Sequence, residues 1–222
     1  MGTAEGTGPN PRHGPNRGAG TSSRHGSAAI PQIATDSSAP MNAPNRTQRY
    51  GSLSIGMHWL MLLLLVAVYA CINLSDLFPK GSETRDALKA WHYTLGLSVL
   101  VLVWLRLAAR LARRVPPIEP EPPGWQRKSA AIVHLALYVL MIGMPLLGWL
   151  ILSARGRPIP FFGVPLPALI GESRSVGRLL REIHEVAGNA GYFLVGAHAA
   201  AALFHHYVVG DNTLRRMLPG RG

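Results

Sequence analysis

Residues 184–206 read "HEVAGNAGYFLVGAHAAAALFHH", a run of small and apolar residues into which His184, His198, His205 and His206 are set. Lipid gives an imidazole nothing to bond, so titratable groups in such a run face protein or a polar cavity and mark function. His184 and His198 stand fourteen residues apart. That is nearly four helical turns, so they share one face at a separation of about 21 Å along the axis. One helix thus presents an imidazole to each half of a bilayer.

Working outward, stretches nearly free of charge recur at about 53–75, 90–105, 129–152 and 186–209. Each approaches the roughly 20 apolar residues that cross a hydrocarbon core. The second is shortest, and Arg106 and Arg110 at its end are expected to snorkel to the interface. The chain is therefore read as all-α, an integral membrane four-helix bundle, with helices over about 50–76, 86–112, 127–153 and 178–209. The formal net charge of +11 on 222 residues would by itself suit nucleic acid or an anionic membrane. The apolar spans decide for the membrane and exclude nucleic acid as partner.

Residues 1–45 are rich in Gly, Pro, Ser, Asn and Ala. They are read as a disordered tail, since they cannot bury enough surface to offset their ordering entropy. Met41 is a candidate true start. Residues 46–222 form the membrane domain. Cys71 is the only cysteine, which excludes an internal disulfide and a Cys-x-x-Cys-His haem attachment.

An even number of spans puts both termini on one side. That side receives eleven Lys and Arg (residues 46, 49, 106, 110, 113, 114, 127, 128, 215, 216 and 221), against eight on the other (80, 85, 89, 155, 157, 174, 178 and 181). The excess places both termini in the cytoplasm. The connection "RRVPPIEPEPPGW" (113–125) forbids helix through its prolines. The connection "ARGRPIPFFGVPLPALIGESRS" (154–175) is too long for a tight turn. It is expected to lie on the membrane surface, covering that end of the bundle.

The remaining histidines are sorted by depth. His58 opens the first span and matches His198, while His92 opens the second and matches His184. Two imidazole pairs result, one near each membrane face. Such pairs across a bundle suit a haem iron with both axial positions filled, which favours electron transfer over oxygen binding. Without the attachment motif the haem is non-covalent, of b type. Gly188, Ala187 and Gly191, with Gly96 and Ser98 opposite, would make room for the macrocycles. Each histidine alone fits an interhelical hydrogen bond equally well, and zinc or copper is the rival cofactor. His134 finds no spare depth-matched partner and is read as a packing residue, with a structural or quinone-facing role as the alternative. His205 is placed near a haem propionate or a quinone, and His206 turns about 100° away toward the interface.

"SIGMHWLM" (54–61), "WHYTLGLSVLVLVWLRLAAR" (91–110) and above all "GYFLVGAHAAAALFHHYVVGDNTLRRMLP" (191–219) resemble the bacterial cytochrome b561 family. The likeness runs from about residue 48 to the C-terminus. It implies a bacterial inner-membrane protein with two b haems, whose ligands fall on His58, His92, His184 and His198. It also implies exchange of electrons with the quinone pool, with superoxide:ubiquinone oxidoreductase activity among its members. A related branch supplies haem anchor subunits that relay electrons between a dehydrogenase or cytochrome and quinone, which is the alternative function. For superoxide, the basic residues of the outer end would attract the anion. Arg155, Lys89 and Arg181 are the candidates there, Arg155 first.

Overall fold

The computed structural model describes Gly14 and residues 51–112 and 118–218. The chain divides into two units, Met1–Ala43 and Pro44–Gly222, and every element below belongs to the second. Apart from Gly14, the expected tail and Met41 lie outside the described residues, as do Arg46, Arg49, Arg113, Arg114 and Arg221.

The fold is a bundle of long helices: α1 (Ser52–Ser75), α2 (Glu83–Leu111), α3 (Gly124–Ala154) and α4 (Arg174–Phe204). All are long and apolar enough to cross a membrane. Their outward surfaces are apolar too: Phe193 is 81% exposed, and Leu63, Leu135 and Val139 are exposed. Water would penalise that surface and hydrocarbon does not, while the helices satisfy their own backbone groups.

Polar caps fix the starts of α2 and α4 well before their apolar runs. The Ser82 hydroxyl accepts from the Arg85 N–H and the Ser173 hydroxyl from the Val176 N–H. Pro123 precedes the first residue of α3, and Pro145 lies inside that helix. The end of α4 departs from the expected helix, since His205–Val209 form a π-helical turn. It is closed by Gly210 at φ 75°, a left-handed position that glycine adopts without strain.

Along the backbone, α1 packs on α2, α2 on α3 and α3 on α4. Met57, Met61, Val99, Leu102, Val103 and Met141 fill the space among the first three. Between α1 and α4 the contact is made by long polar side chains. The Tyr69 hydroxyl donates to the Gly188 carbonyl at 2.8 Å, and the Asn73 amide donates to the Tyr192 hydroxyl at 2.6 Å. The two tyrosine rings stack at 4.2 Å.

The α3–α4 connection contains an element that periodicity did not show. β1 (Ile159–Phe161) and β2 (Val164–Leu166) form an antiparallel hairpin. Its turn residues Phe162 and Gly163 both have positive φ, 49° and 84°, the pattern of a tight hairpin turn. The hairpin does more than lie on the membrane surface. Ile159 is 2% exposed and packs with Leu97 and Leu152. Thr94 donates to the Pro160 carbonyl and Trp149 to the Pro167 carbonyl. The connection therefore plugs the bundle end near His92, which accords with the covering role expected of it.

At the other end the segment that follows α4, residues 211–218, is tied down. Asp211, 3% exposed, accepts from the Thr213 N–H at 2.8 Å and from His205 Nδ1 at 2.6 Å. Trp59 donates to the Met217 carbonyl, and Asn212 bonds Glu119 of the α2–α3 connection. Burial alone would raise the Asp211 carboxyl. The hydrogen bonds from Thr213 and the contact with His205 outweigh it and hold the group below the usual aspartate range. A depressed folded pKa means that this stabilisation is complete above the unfolded value of about 3.8. It is lost as pH falls through the folded value. Asp211→Ala should therefore loosen residues 211–218 at neutral pH, and acidification below about pH 4 should do the same to the native chain. Limited proteolysis reads both, and unchanged resistance in the variant contradicts the role.

Candidate functional site

The helices bring the histidines together as depth suggested. The ring centres of His58 and His198 lie 6.4 Å apart with planes at 74°. Those of His92 and His184 lie 6.3 Å apart at 73°. Two imidazoles sharing one metal, with bonds of about 2 Å and a ring half-width of roughly 1 Å each, have centres about 6 Å apart. Both pairs match that spacing, so each can clasp a metal from opposite sides. Among the described residues no three His, Cys, Asp or Glu side chains converge on a bare ion. The donor sets suit a flat macrocycle that supplies its own equatorial nitrogens.

His58 and His198 border an open pocket between the helices. Leu62, Leu65, Leu137, Met141 and Val195 make it apolar, while Arg106, His134 and Tyr138 add polar atoms. The Tyr138 hydroxyl is buried without a hydrogen-bond partner. An apolar groove edged by a few polar groups suits a mostly hydrophobic cofactor.

The ring nitrogens differ in their preparation. His92 Nδ1 lies 3.0 Å from the Val68 carbonyl. A carbonyl can only accept, so the proton sits on Nδ1 and Nε2 keeps its lone pair for a metal. His184 Nδ1 is buried near the Met144 carbonyl but outside hydrogen-bond geometry. Gly148 lies beside this ring, where a Cβ would meet His184 Cε1 at 3.7 Å, an ordinary van der Waals contact. His58 is set the other way: its Nδ1 accepts from Arg106 Nη1 at 2.9 Å.

Several expectations need correction. His134, for which no spare partner was expected, packs on the histidine that also faces His58: its ring centre lies 5.3 Å from that of His198. Helix α3 begins at Gly124, earlier than its apolar run indicates. His134 lies ten residues into α3 and His198 six residues before the end of α4. Arg106 does not snorkel away but turns onto His58. Gly191 leaves no free space for a macrocycle, because the Tyr69 hydroxyl occupies the place of its missing Cβ. Gly188 likewise faces Met144 Cε at 3.4 Å, whereas Gly96 faces open space. Ser98 spends its hydroxyl on the Thr94 carbonyl.

Lys89, Arg155 and Arg181 all lie at the end of the bundle that carries His92 and His184. Arg181 is paired with Glu185 on its own helix, which weakens its field. Arg155 is exposed and lays its stem against Gly177. Lys89 is half-buried, one turn before His92. Arg85, another cation of this end, is bound to Asp76 and the Phe78 carbonyl. His205 meets Asp211, while His206 packs its ring on Tyr207 with Nδ1 buried and unbonded.

A family model described as prokaryotic cytochrome b561 matches residues 49–220, a range that contains both histidine pairs. The chain belongs to the prokaryotic cytochrome b561 family. It is thus a bacterial multi-pass membrane protein of electron transport that binds b-type haem. Among curated relatives of this cytochrome b561, cytochrome b561 homolog 1 of Escherichia coli K12 is 40% identical over 173 residues, covering 78% of this chain and 98% of that one. A Yersinia pestis protein named probable superoxide oxidase CybB is 36% identical over 172 residues, covering 78% and 97%. Cytochrome b561 homolog 2 of Escherichia coli K12 is 30% identical over 186 residues, covering 80% and 95%.

Proposed function

We propose that this cytochrome b561 holds two b haems and oxidises superoxide to dioxygen at the outer face, with ubiquinone as acceptor. His58 and His198 hold the inner haem, and His92 and His184 the outer. The observation that carries the reading is the pair of matched imidazole separations, 6.4 and 6.3 Å, one toward each end of the bundle. Bound there, haem b would supply a one-electron iron couple. Two superoxide ions yield two dioxygen molecules and two electrons, and one ubiquinone takes up those electrons with two protons.

The chain's own residues have separable tasks. Val68 fixes the His92 tautomer, so Nε2 is presented without reorganisation. The β1–β2 hairpin buries Ile159 and Phe161 beside Tyr93 and Leu97, keeping bulk water from the outer pair. Lys89, Arg155 and Arg181 draw the superoxide anion toward that end, Arg155 from an exposed position and Arg181 with its charge partly offset by Glu185. Both termini are placed in the cytoplasm, with ubiquinone served from the membrane. The name carried by the Yersinia pestis relative supports superoxide as substrate.

Superoxide pulses given to the purified protein with ubiquinone should yield one ubiquinol per two superoxide ions. Oxygen release without ubiquinol would remove the quinone from the account. Arg155→Gln should slow the superoxide step about tenfold at low salt and much less at high salt, because steering is screened. An equal effect at both salt concentrations contradicts a steering role.

A further inference from the structure

Arg106 stands in the inner cavity half-buried. Among the described residues no carboxylate lies within ion-pair distance of it. Its guanidinium donates instead to His58 Nδ1 at 2.9 Å. A neutral imidazole does not balance the charge, and a cation within a membrane span is costly without an anion.

That single contact is also incompatible with ligation. A guanidinium only donates, so the bond places the His58 proton on Nε2. Binding iron through Nε2 requires the proton on Nδ1, where it would face the N–H groups of Arg106. Arg106 must then find another acceptor in the same cavity. His134 offers Arg106 only a neutral lone pair, which leaves the charge unbalanced. Its Nδ1 proton is committed to the Ala130 carbonyl at 2.6 Å, so its Nε2 offers a lone pair.

We propose that Arg106 binds a propionate carboxylate of the macrocycle held between His58 and His198. This rests on the two-haem reading above. The carboxylates are the anionic groups of haem b, and a guanidinium pairs with a carboxylate through two parallel hydrogen bonds. The pair releases His58 to its ligating tautomer, directs the propionate edge toward the cytoplasmic end of α2, and offsets negative charge near the iron. Arg106 is thus a positioning residue that also raises the reduction potential of the inner haem.

Full-length Arg106→Lys and Arg106→Gln holoproteins are to be titrated potentiometrically beside the wild type. Arg106→Gln should lower the reduced-to-oxidised ratio of one haem about tenfold at fixed ambient potential, ~59 mV for one electron. Arg106→Lys keeps the charge and should shift that haem by less than about twofold, with the other haem unmoved in both. Loss of the inner haem from Arg106→Gln alone supports the proposal too. Equal behaviour of the two variants, whether unchanged, equally shifted or both stripped of haem, overturns it. The wild type and Arg106→Gln are also to be loaded with haem carrying ¹³C in its propionate carboxylates. Their redox-difference infrared spectra should differ in the labelled bands, and identical bands overturn the pairing. Wild-type protein with fewer than two haems overturns the two-haem reading instead, and the proposal falls with it.

Discussion

His198→Ala is expected to reduce haem content by about half, leaving the outer haem bound to His92 and His184 with its spectrum intact. His198 lies on α4 level with both His58 and His134, so the identity of its partner on the iron matters. The His58 separation of 6.4 Å suits two rings on opposite sides of a metal, whereas 5.3 Å to His134 is too short for that arrangement. His58→Ala should therefore reproduce the loss, and His134→Ala should keep both haems. Ubiquinone reduction by superoxide should fall in the first two variants by roughly 100-fold, the upper end of what losing a metal site's support costs. Retention of two haems in His198→Ala, or loss of one in His134→Ala, contradicts the assignment. Haem per chain and the low-spin spectrum read all three variants.

Gly191→Ala should have the largest effect on the fold itself. A Cβ at this position coincides with the Tyr69 hydroxyl and would approach Leu140 Cδ2 to 3.2 Å. The hydroxyl cannot simply swing away, because it donates to the Gly188 carbonyl and its ring stacks on Tyr192. These contacts fasten α1 to α4, the two helices that carry His58 and His198. Overpacking of this kind costs about 1–3 kcal/mol, to which a lost buried hydrogen bond adds about 1. The variant should unfold in denaturant or heat well before the wild type and release inner haem more readily. Tyr69→Phe removes the oxygen and makes room, so the double variant should be more stable than the sum of the two changes predicts. Strict additivity would show that the two positions do not compete for the same space.

Much of this molecule can be read from residue order. The charge-free stretches locate every span, since a bilayer imposes length and apolarity on each helix. The fourteen-residue spacing on α4 and the depths of His58 and His92 suffice to choose the pairs, because helix rise converts numbering into height. The exceptions have physical causes. The contact of His134 with His198 is not legible because it depends on how α3 packs against α4. Arg106 reads as an interfacial cation because the sequence shows its position near a helix end, while its side-chain direction depends on α1 packing beside α2. Gly191 advertises close approach without saying what approaches, and Tyr69 is 122 residues away. The hairpin is hidden by prolines and by strands of three residues, too short for alternation to register. Asp211 looks like an ordinary loop acid until the π-helical turn at His205–Val209 brings it onto His205.

The central claim is that two pairs of histidines hold one haem each. Haem content per chain, measured on purified wild-type protein as the pyridine haemochrome against protein mass, tests it most directly. Two haem b per chain, both low-spin, is the predicted result. One haem per chain, or a second that is high-spin, would contradict the pairing of His58 with His198 and of His92 with His184.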